Sequence, residues 1–218
     1  MLRPFRLLMV ATLAFGVYMV FFAVPDNVRD DAAFDPAEVA RHEVEAWKAA
    51  EGNQEFAIYP SVALMLREQH RFSWFRAAQA SYYLSRAMYE FTDMTNRFER
   101  VMPDLEDAAA VERAWKNAEF NAGAVARAQL NGWITSRAPN PGDPNEVARI
   151  TAEDYALRYG LPPGDFMATA GYRADATRVL QHTPADPDWA TIEKLLTESY
   201  RALQAALEQG RARRNVSR

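Results

Sequence analysis

The chain has 218 residues, of which 49% are hydrophobic and 25% charged, and it is long enough to bury a core of its own. It contains no cysteine, which excludes disulfides, catalytic thiolates and zinc sites built on Cys. The net charge of −4 argues against a general nucleic-acid-binding protein, which needs a basic surface to neutralise phosphates.

The N-terminal segment is the first predicted element. Residues 7–24 form a run of 18 residues without a charge, and two arginines precede them. As a helix this run would extend about 27 Å, close to the thickness of a bilayer core. A cleaved signal peptide is the alternative, but cleavage after Ala23 would place the bulky Phe21 at the −3 position. The pattern therefore favours a retained transmembrane anchor, residues 1–24.

The distribution of charge predicts an orientation for this anchor. Residues 1–24 contain Arg3, Arg6 and no acid, so the rest of a chain with net charge −4 carries −6. Basic residues tend to stay on the cytoplasmic side of a membrane. We therefore expect a single-pass protein of the cell membrane whose body lies on the exported, periplasmic side. Residues 25–34 are predicted to be a short polar linker.

The body of the chain is predicted to be all-helical. Asp35-Pro36 begins a helix, because Asp caps the free N–H groups and Pro at the first position needs no hydrogen bond. Asp143-Pro144 and Asp186-Pro187 repeat this pattern. Residues that favour helix dominate the segments between, and no segment alternates as a strand does. We predict eight helices, at residues 36–50, 57–70, 74–95, 104–120, 122–137, 144–159, 163–181 and 187–210.

Two stretches of the body resemble each other. Val-Ala-Arg begins at residue 39 and again 86 positions later, and a Trp follows eight residues after the Val in both copies, at Trp47 and Trp133. The order of the predicted helices repeats as well. We interpret residues 35–218 as two duplicated four-helix units, repeat 1 at about 35–120 and repeat 2 at about 121–210, docked face to face; a chance resemblance is the alternative.

The third predicted helix is rich in aromatic residues. Aromatic side chains dominate the burial of apolar surface in protein cores, so we expect this set to form the core rather than a cofactor site. Its members are Trp74, Tyr82, Tyr83, Tyr89 and Phe91.

The chain lacks the linear motifs of common enzyme classes. No Glu is followed by His three residues later, as di-iron helical bundles require, and there is no His-Glu-x-x-His sequence. A Gly-x-Ser-x-Gly elbow and a glycine-rich phosphate loop are also missing. We therefore predict no catalytic residue and no metal ligand, and the sequence names no cofactor. A site assembled from distant residues would leave no such motif.

Glu43 is the strongest candidate for a binding residue. Val39, Glu43 and Trp47 are spaced four residues apart and share one helix face that is otherwise apolar. Gln129 fills the position of Glu43 in the second repeat. A carboxylate buried on this face needs donors, and His70, Gln129 and an Arg of a facing helix are candidates. The predicted binding residues are Glu43, His42, His70, Gln129, Trp47 and Trp133; the alternative is a purely structural Glu43.

Two classes of function follow from these patterns. The sequence favours a membrane-tethered helical scaffold or binding protein, an accessory subunit with a protein partner in a membrane complex. The alternative is a helical protein or enzyme that binds a small ligand or a metal at a polar site around Glu43.

Overall fold

Every regular element in the described part of the chain is a helix, which confirms the all-α prediction. The computed structural model describes residues 11–18, 21, 30–94, 96–137 and 144–216. The helices of the body are α1 (Pro36–Glu51), α2 (Glu55–His70), α3 (Trp74–Asp93), α4 (Met102–Lys116), α5 (Ala122–Ser136), α6 (Pro144–Tyr159), α7 (Met167–His182) and α8 (Trp189–Val216).

Capping residues determine where several helices begin. Asp35 accepts a hydrogen bond from the backbone N–H of Ala37 at 2.9 Å, and Ser73 accepts one from Arg76 at 3.3 Å. These bonds satisfy N–H groups that have no partner within the first turn of a helix. Asp143, predicted to cap α6, lies outside the described residues.

Two helices begin later than the sequence predicts. A short 3-10 helix, Pro163–Phe166, precedes α7, so the α-helix itself starts four residues after the predicted position. Helix α8 starts two residues late because Asp188, not Asp186, accepts the capping hydrogen bond from Thr191 at 3.0 Å.

The eight helices of the body close into a ring. Each helix packs against the helices before and after it in the chain, and α8 packs against α1. Short connections make neighbouring helices antiparallel, so the C-terminal ends of α1, α3, α5 and α7 lie together at one end of the ring. The two four-helix runs therefore meet at two edges, α4 with α5 and α8 with α1, instead of docking face to face. This arrangement leaves space at the centre.

The apolar core includes Phe72, Phe166, Ile58 and Leu203, which are fully buried. The prediction that all five aromatic residues of α3 belong to this core is wrong for two of them. Trp74 and Tyr82 are exposed, whereas Phe91 is buried. A helix in a ring keeps one face toward solvent, and these two side chains lie on that face.

Residues 30–35 form a strap across the end of the ring opposite the C-termini of α1 and α3. Ala32 and Phe34 are buried, and the side-chain amide of Gln204 donates hydrogen bonds to their carbonyl oxygens at 2.7 and 3.0 Å. The linker predicted over residues 25–34 is therefore a packed segment from residue 30 onwards, because its apolar side chains find cover on the ring.

The predicted anchor falls mostly outside the described residues. Within the described ranges no helix is both long and apolar enough to cross a membrane. Residues 11–18 of the predicted anchor are helical, and large apolar side chains among them, such as Leu13 and Phe15, are exposed.

Candidate functional site

A cavity of about 950 Å³ occupies the centre of the ring, and all eight helices contribute to its walls. The cavity is open to the surface, so water can enter it. The cavity is therefore filled, by solvent or by a ligand.

The cavity reaches the surface at one end of the ring, called the mouth below. Its rim carries the exposed residues Glu51, Arg137 and Pro184. The Arg137 guanidinium lies 3.3 Å from the Glu51 carboxylate and donates to the backbone carbonyls of Phe91 and Thr92, both at 3.1 Å. A cation here satisfies carbonyl groups at the C-terminal end of α3 and opposes its helix dipole.

The middle of the cavity is mainly apolar and aromatic. Trp47 and Trp133 line it from α1 and α5, which are opposite helices of the ring, and Met88 and Phe91 line it from α3. The rings of Phe91 and Trp133 lie 5.1 Å apart between centroids. Such walls suit an apolar or aromatic body of a ligand.

The first polar network on the wall joins α1, α7 and α8. Arg173 donates to both oxygens of Glu43, at 2.5 and 2.9 Å, and the Tyr200 hydroxyl donates to the same carboxylate at 2.7 Å. Glu43 is buried, as the apolar stripe of α1 predicts. Burial, and then the charge of Glu43, raise the pKa of Tyr200 well above its ordinary value, so the phenol stays protonated and can donate.

The second polar network joins α4, α5 and α6 around the Arg158 guanidinium. Its nitrogens donate to Glu112 at 2.6 Å, to the Gln129 side chain at 2.8 Å, and to the two oxygens of Asp154 at 3.1 and 3.2 Å. Burial would lower the pKa of Arg158, but Asp154 and Glu112 raise it, so the group remains charged.

Glu112 and His70 lie in this second network, near the strap. Only 4% of Glu112 and 6% of His70 is exposed. Within the described chain, Glu112 Oε1 accepts no hydrogen bond; His70 Nδ1 and Lys116 Nζ lie 3.7 and 3.8 Å away. Lys116 in turn pairs with Asp31 of the strap at 2.5 Å.

Burial determines the protonation of this pair. Burial lowers the pKa of His70 to about 3, so its imidazole is neutral at physiological pH. For Glu112, burial would raise the pKa, but attraction to His70, Arg158 and Lys116 outweighs it and brings the pKa to about 2. Burial also raises the pKa of Asp154.

Five of the six residues predicted for the site line this cavity: Glu43, Trp47, His70, Gln129 and Trp133. His42 does not, because it is one residue away from Glu43 on the helix and points in another direction; its ring lies 3.3 Å from Arg41 and 3.8 Å from Glu38. His70 and Gln129 were candidate donors to Glu43, but they do not bind it, because both belong to the network of Arg158.

Sequence reasoning missed Arg158, Arg173, Glu112 and Tyr200. For Arg158 a signal was present, because the aromatic Tyr155 lies three residues before it on the same helix face. The pairing of these residues carried no local signal.

The described residues contain no group of three or more His, Asp or Glu side chains placed to hold a metal ion. The chain matches no protein-family model, and neither a curated protein nor a solved structure matches it significantly. The cavity and its two polar networks are therefore the candidate site.

Proposed function

We propose that the protein binds a small amphiphilic molecule in the central cavity of the ring. The observation that supports this proposal is a cavity of about 950 Å³ with apolar walls and a few paired polar groups. Ligand pockets typically measure roughly 300–1,000 Å³ and have this composition. The predicted site residues Glu43, Trp47, His70, Gln129 and Trp133 are all part of its wall.

The charged groups on the wall support a ligand more than a purely structural role. Replacing a buried ion pair by apolar residues of similar size is often neutral, or stabilises a protein by about 1–4 kcal/mol. A ring that only had to be stable would fill its centre with apolar side chains. Here Glu43 with Arg173, and Glu112 with Arg158, lie around a space that no side chain fills.

A matched pair of glycine variants tests this proposal. Gly132 lines the cavity, and a Cβ added there meets no atom closer than 3.9 Å, whereas Gly171 lies on α7 away from the cavity and meets none within 4 Å. Gly132→Phe should narrow the cavity, and Gly171→Phe should leave it open. Both remove a helical glycine and should fold.

The assay is a fluorescence titration of the full chain with the neutral hydrophobic probe N-phenyl-1-naphthylamine. The parent and Gly171→Phe should bind the probe equally, and Gly132→Phe should bind it more weakly. Native mass spectrometry, followed by denaturation, should also release a small molecule from the purified parent. Equal probe binding by all three proteins would show that the cavity is not the binding site.

We propose further that residues 1–24 tether the ring to the cell membrane on the exported side. The uncharged run 7–24, the two arginines before it and the exposed apolar residues of 11–18 support this proposal. Protease added to spheroplasts should digest the body. Protection until lysis would contradict the orientation, and a mature N-terminus near residue 24 would indicate a cleaved signal peptide.

The scaffold function is a second candidate, favoured by apolar side chains on the outer faces of α2 and α3. Phe56 is almost fully exposed, and Phe75 and Tyr82 are about half exposed. Exposed large apolar side chains can contribute to surfaces that contact other proteins. Phe56→Ser should abolish co-purification of a membrane-complex partner while leaving probe binding unchanged; retention of the partner would exclude this face.

The internal duplication has one supporting contact. Glu51 and Arg137 are separated by the same 86 positions as the two Val-Ala-Arg segments, and they contact each other at the mouth. Equivalent residues of two copies meet where a two-fold axis passes between the copies. We therefore propose that α1–α4 and α5–α8 are related by such an axis.

A further inference from the structure

The described wall of the cavity carries one more acid than base. The charged residues that line it are Glu43, Glu51, Glu112 and Asp154, against Arg137, Arg158 and Arg173. His70 is neutral because burial lowers its pKa to about 3. The nearby Lys116 and Asp31 pair with each other and do not change the balance. The wall therefore has a net charge of −1.

The excess negative charge lies in the second network. Glu43 has Arg173 as its own partner, and Glu51 has Arg137. Glu112 and Asp154 instead share the guanidinium of Arg158, and Lys116, whose Nζ lies 3.8 Å from Glu112, is itself paired with Asp31. A buried charge without a full counter-charge is costly, so this network favours the binding of a positive group.

The same network has open hydrogen-bond acceptors. Among the described residues, Glu112 Oε1 accepts no hydrogen bond, and both oxygens of Asp154 share one N–H of Arg158. His70 Nδ1, buried beside Glu112, also lacks a partner. An ammonium group has three donors and no acceptor, which complements this set.

We propose that the ligand is a cationic amphiphile whose ammonium group binds between Glu112 and Asp154, and whose apolar part extends past Trp47 and Trp133 toward the mouth. This inference rests on the proposed ligand-binding function. An organic ammonium fits better than a metal ion, because the described residues offer no group of three metal-ligating side chains.

The dimensions of the cavity suit such a molecule. Gln129, which accepts a hydrogen bond from Arg158, lies on α5, and Arg137 at the mouth is the C-cap of the same helix, eight residues later. At roughly 1.5 Å per residue, Gln129 and Arg137 are about 12 Å apart along the helix axis. The polar end of the ligand is therefore held deep in the ring, near the strap, and its apolar end lies along the aromatic middle.

The test compares three water-soluble probes that share one apolar body and differ only in the polar group. They are 4-phenylbutylamine, 4-phenylbutanol and 4-phenylbutanoate, titrated calorimetrically into the full chain at neutral pH. The amine should bind at least about tenfold more tightly than the alcohol, because it gains charge-assisted hydrogen bonds, and the carboxylate should bind most weakly.

Two variants locate the preference. Asp154→Asn removes the excess negative charge and leaves the ion pair between Arg158 and Glu112 in place. The amine should then bind no more tightly than the alcohol, and the affinity of the alcohol should not change. Glu153→Gln is the matched control, because Glu153 is the exposed neighbour of Asp154 on α6 and pairs with Arg149. This variant should keep the parent's preference for the amine.

The outcomes separate the two proposals. If the alcohol binds the parent as tightly as the amine, or if Asp154→Asn keeps the preference, the cationic-ligand proposal is wrong and the cavity remains a binding site. If none of the three probes binds, both the ligand class and the proposed function fail.

Discussion

The ion pair between Glu43 and Arg173 allows a quantitative test of the ring. Glu43→Gln removes the carboxylate that accepts two hydrogen bonds from Arg173, and one amide cannot accept all the hydrogen bonds that Arg173 and Tyr200 now donate to it. Because Gln129 fills the matching position of the proposed second repeat, the sequence alone suggests that an amide is tolerated at small cost. The structure predicts a large cost, because the donor is a guanidinium.

The magnitude follows from burial. Removing one partner of a fully buried ion pair costs about 3–5 kcal/mol. The Arg173 side chain keeps about 20% of its surface exposed, so the cost is reduced by screening. We expect Glu43→Gln to lower the free energy of unfolding by about 2–4 kcal/mol. The double variant Glu43→Gln/Arg173→Met removes both charges and should recover most of this loss.

The assay is urea unfolding followed by far-ultraviolet circular dichroism. The parent, Glu43→Gln, Arg173→Met and the double variant form a double-mutant cycle. The matched control is Glu153→Gln, which breaks the Arg149–Glu153 pair of 2.6 Å between side chains that are 56% and 47% exposed. This exposed pair should contribute less than about 0.5 kcal/mol. If Glu43→Gln costs no more than the control, and the cycle shows no coupling, the buried pair does not exist in solution.

Three further predictions concern stability. Between pH 7.5 and 5 the free energy of unfolding of the parent should fall by about 2 kcal/mol because of His70. The unfolded imidazole takes up a proton in this range, whereas the folded one, with a pKa of about 3, does not. His70→Phe should lack this loss in urea titrations. Phe166→Ala should lower the free energy of unfolding by about 3–5 kcal/mol in the same assay, because the Phe166 side chain is fully buried. Phe56→Ala should change it by less than about 0.5 kcal/mol, because Phe56 is exposed. A fragment ending near Met102 cannot close the ring, so it should aggregate or melt without a cooperative transition, and a monomeric, cooperatively melting fragment would contradict the single ring.

Local features of the fold were predictable because their causes lie within a few residues. The caps of α1 and α3 depend on Asp35 and Ser73, which bond N–H groups two and three residues away. The existence of all eight helices of the body follows from composition and from such signals. The burial of Glu43 follows from its position between Val39 and Trp47 on one apolar face. Where a later residue competed as a cap, as at Asp188, the predicted start was displaced.

The site itself required the tertiary structure. Glu43 binds partners that lie 130 and 157 residues away in the chain, and nothing in the helical pattern of α1 selects Arg173 or Tyr200 among the other donors. Helical periodicity identifies which side chains point inward, and this was enough to place Trp47 and Trp133 on inward faces; the structure shows that both line the cavity.

Periodicity does not say what lies opposite a helix face. Helices that pack in sequence order can form a filled bundle or a closed ring from the same apolar stripes. Only the packing of α8 on α1 leaves the centre open and brings Glu112, Asp154 and Arg158 to its wall. The amino-acid pattern is enough to locate the helices and their inward faces, and these faces surround a cavity because the ring closes.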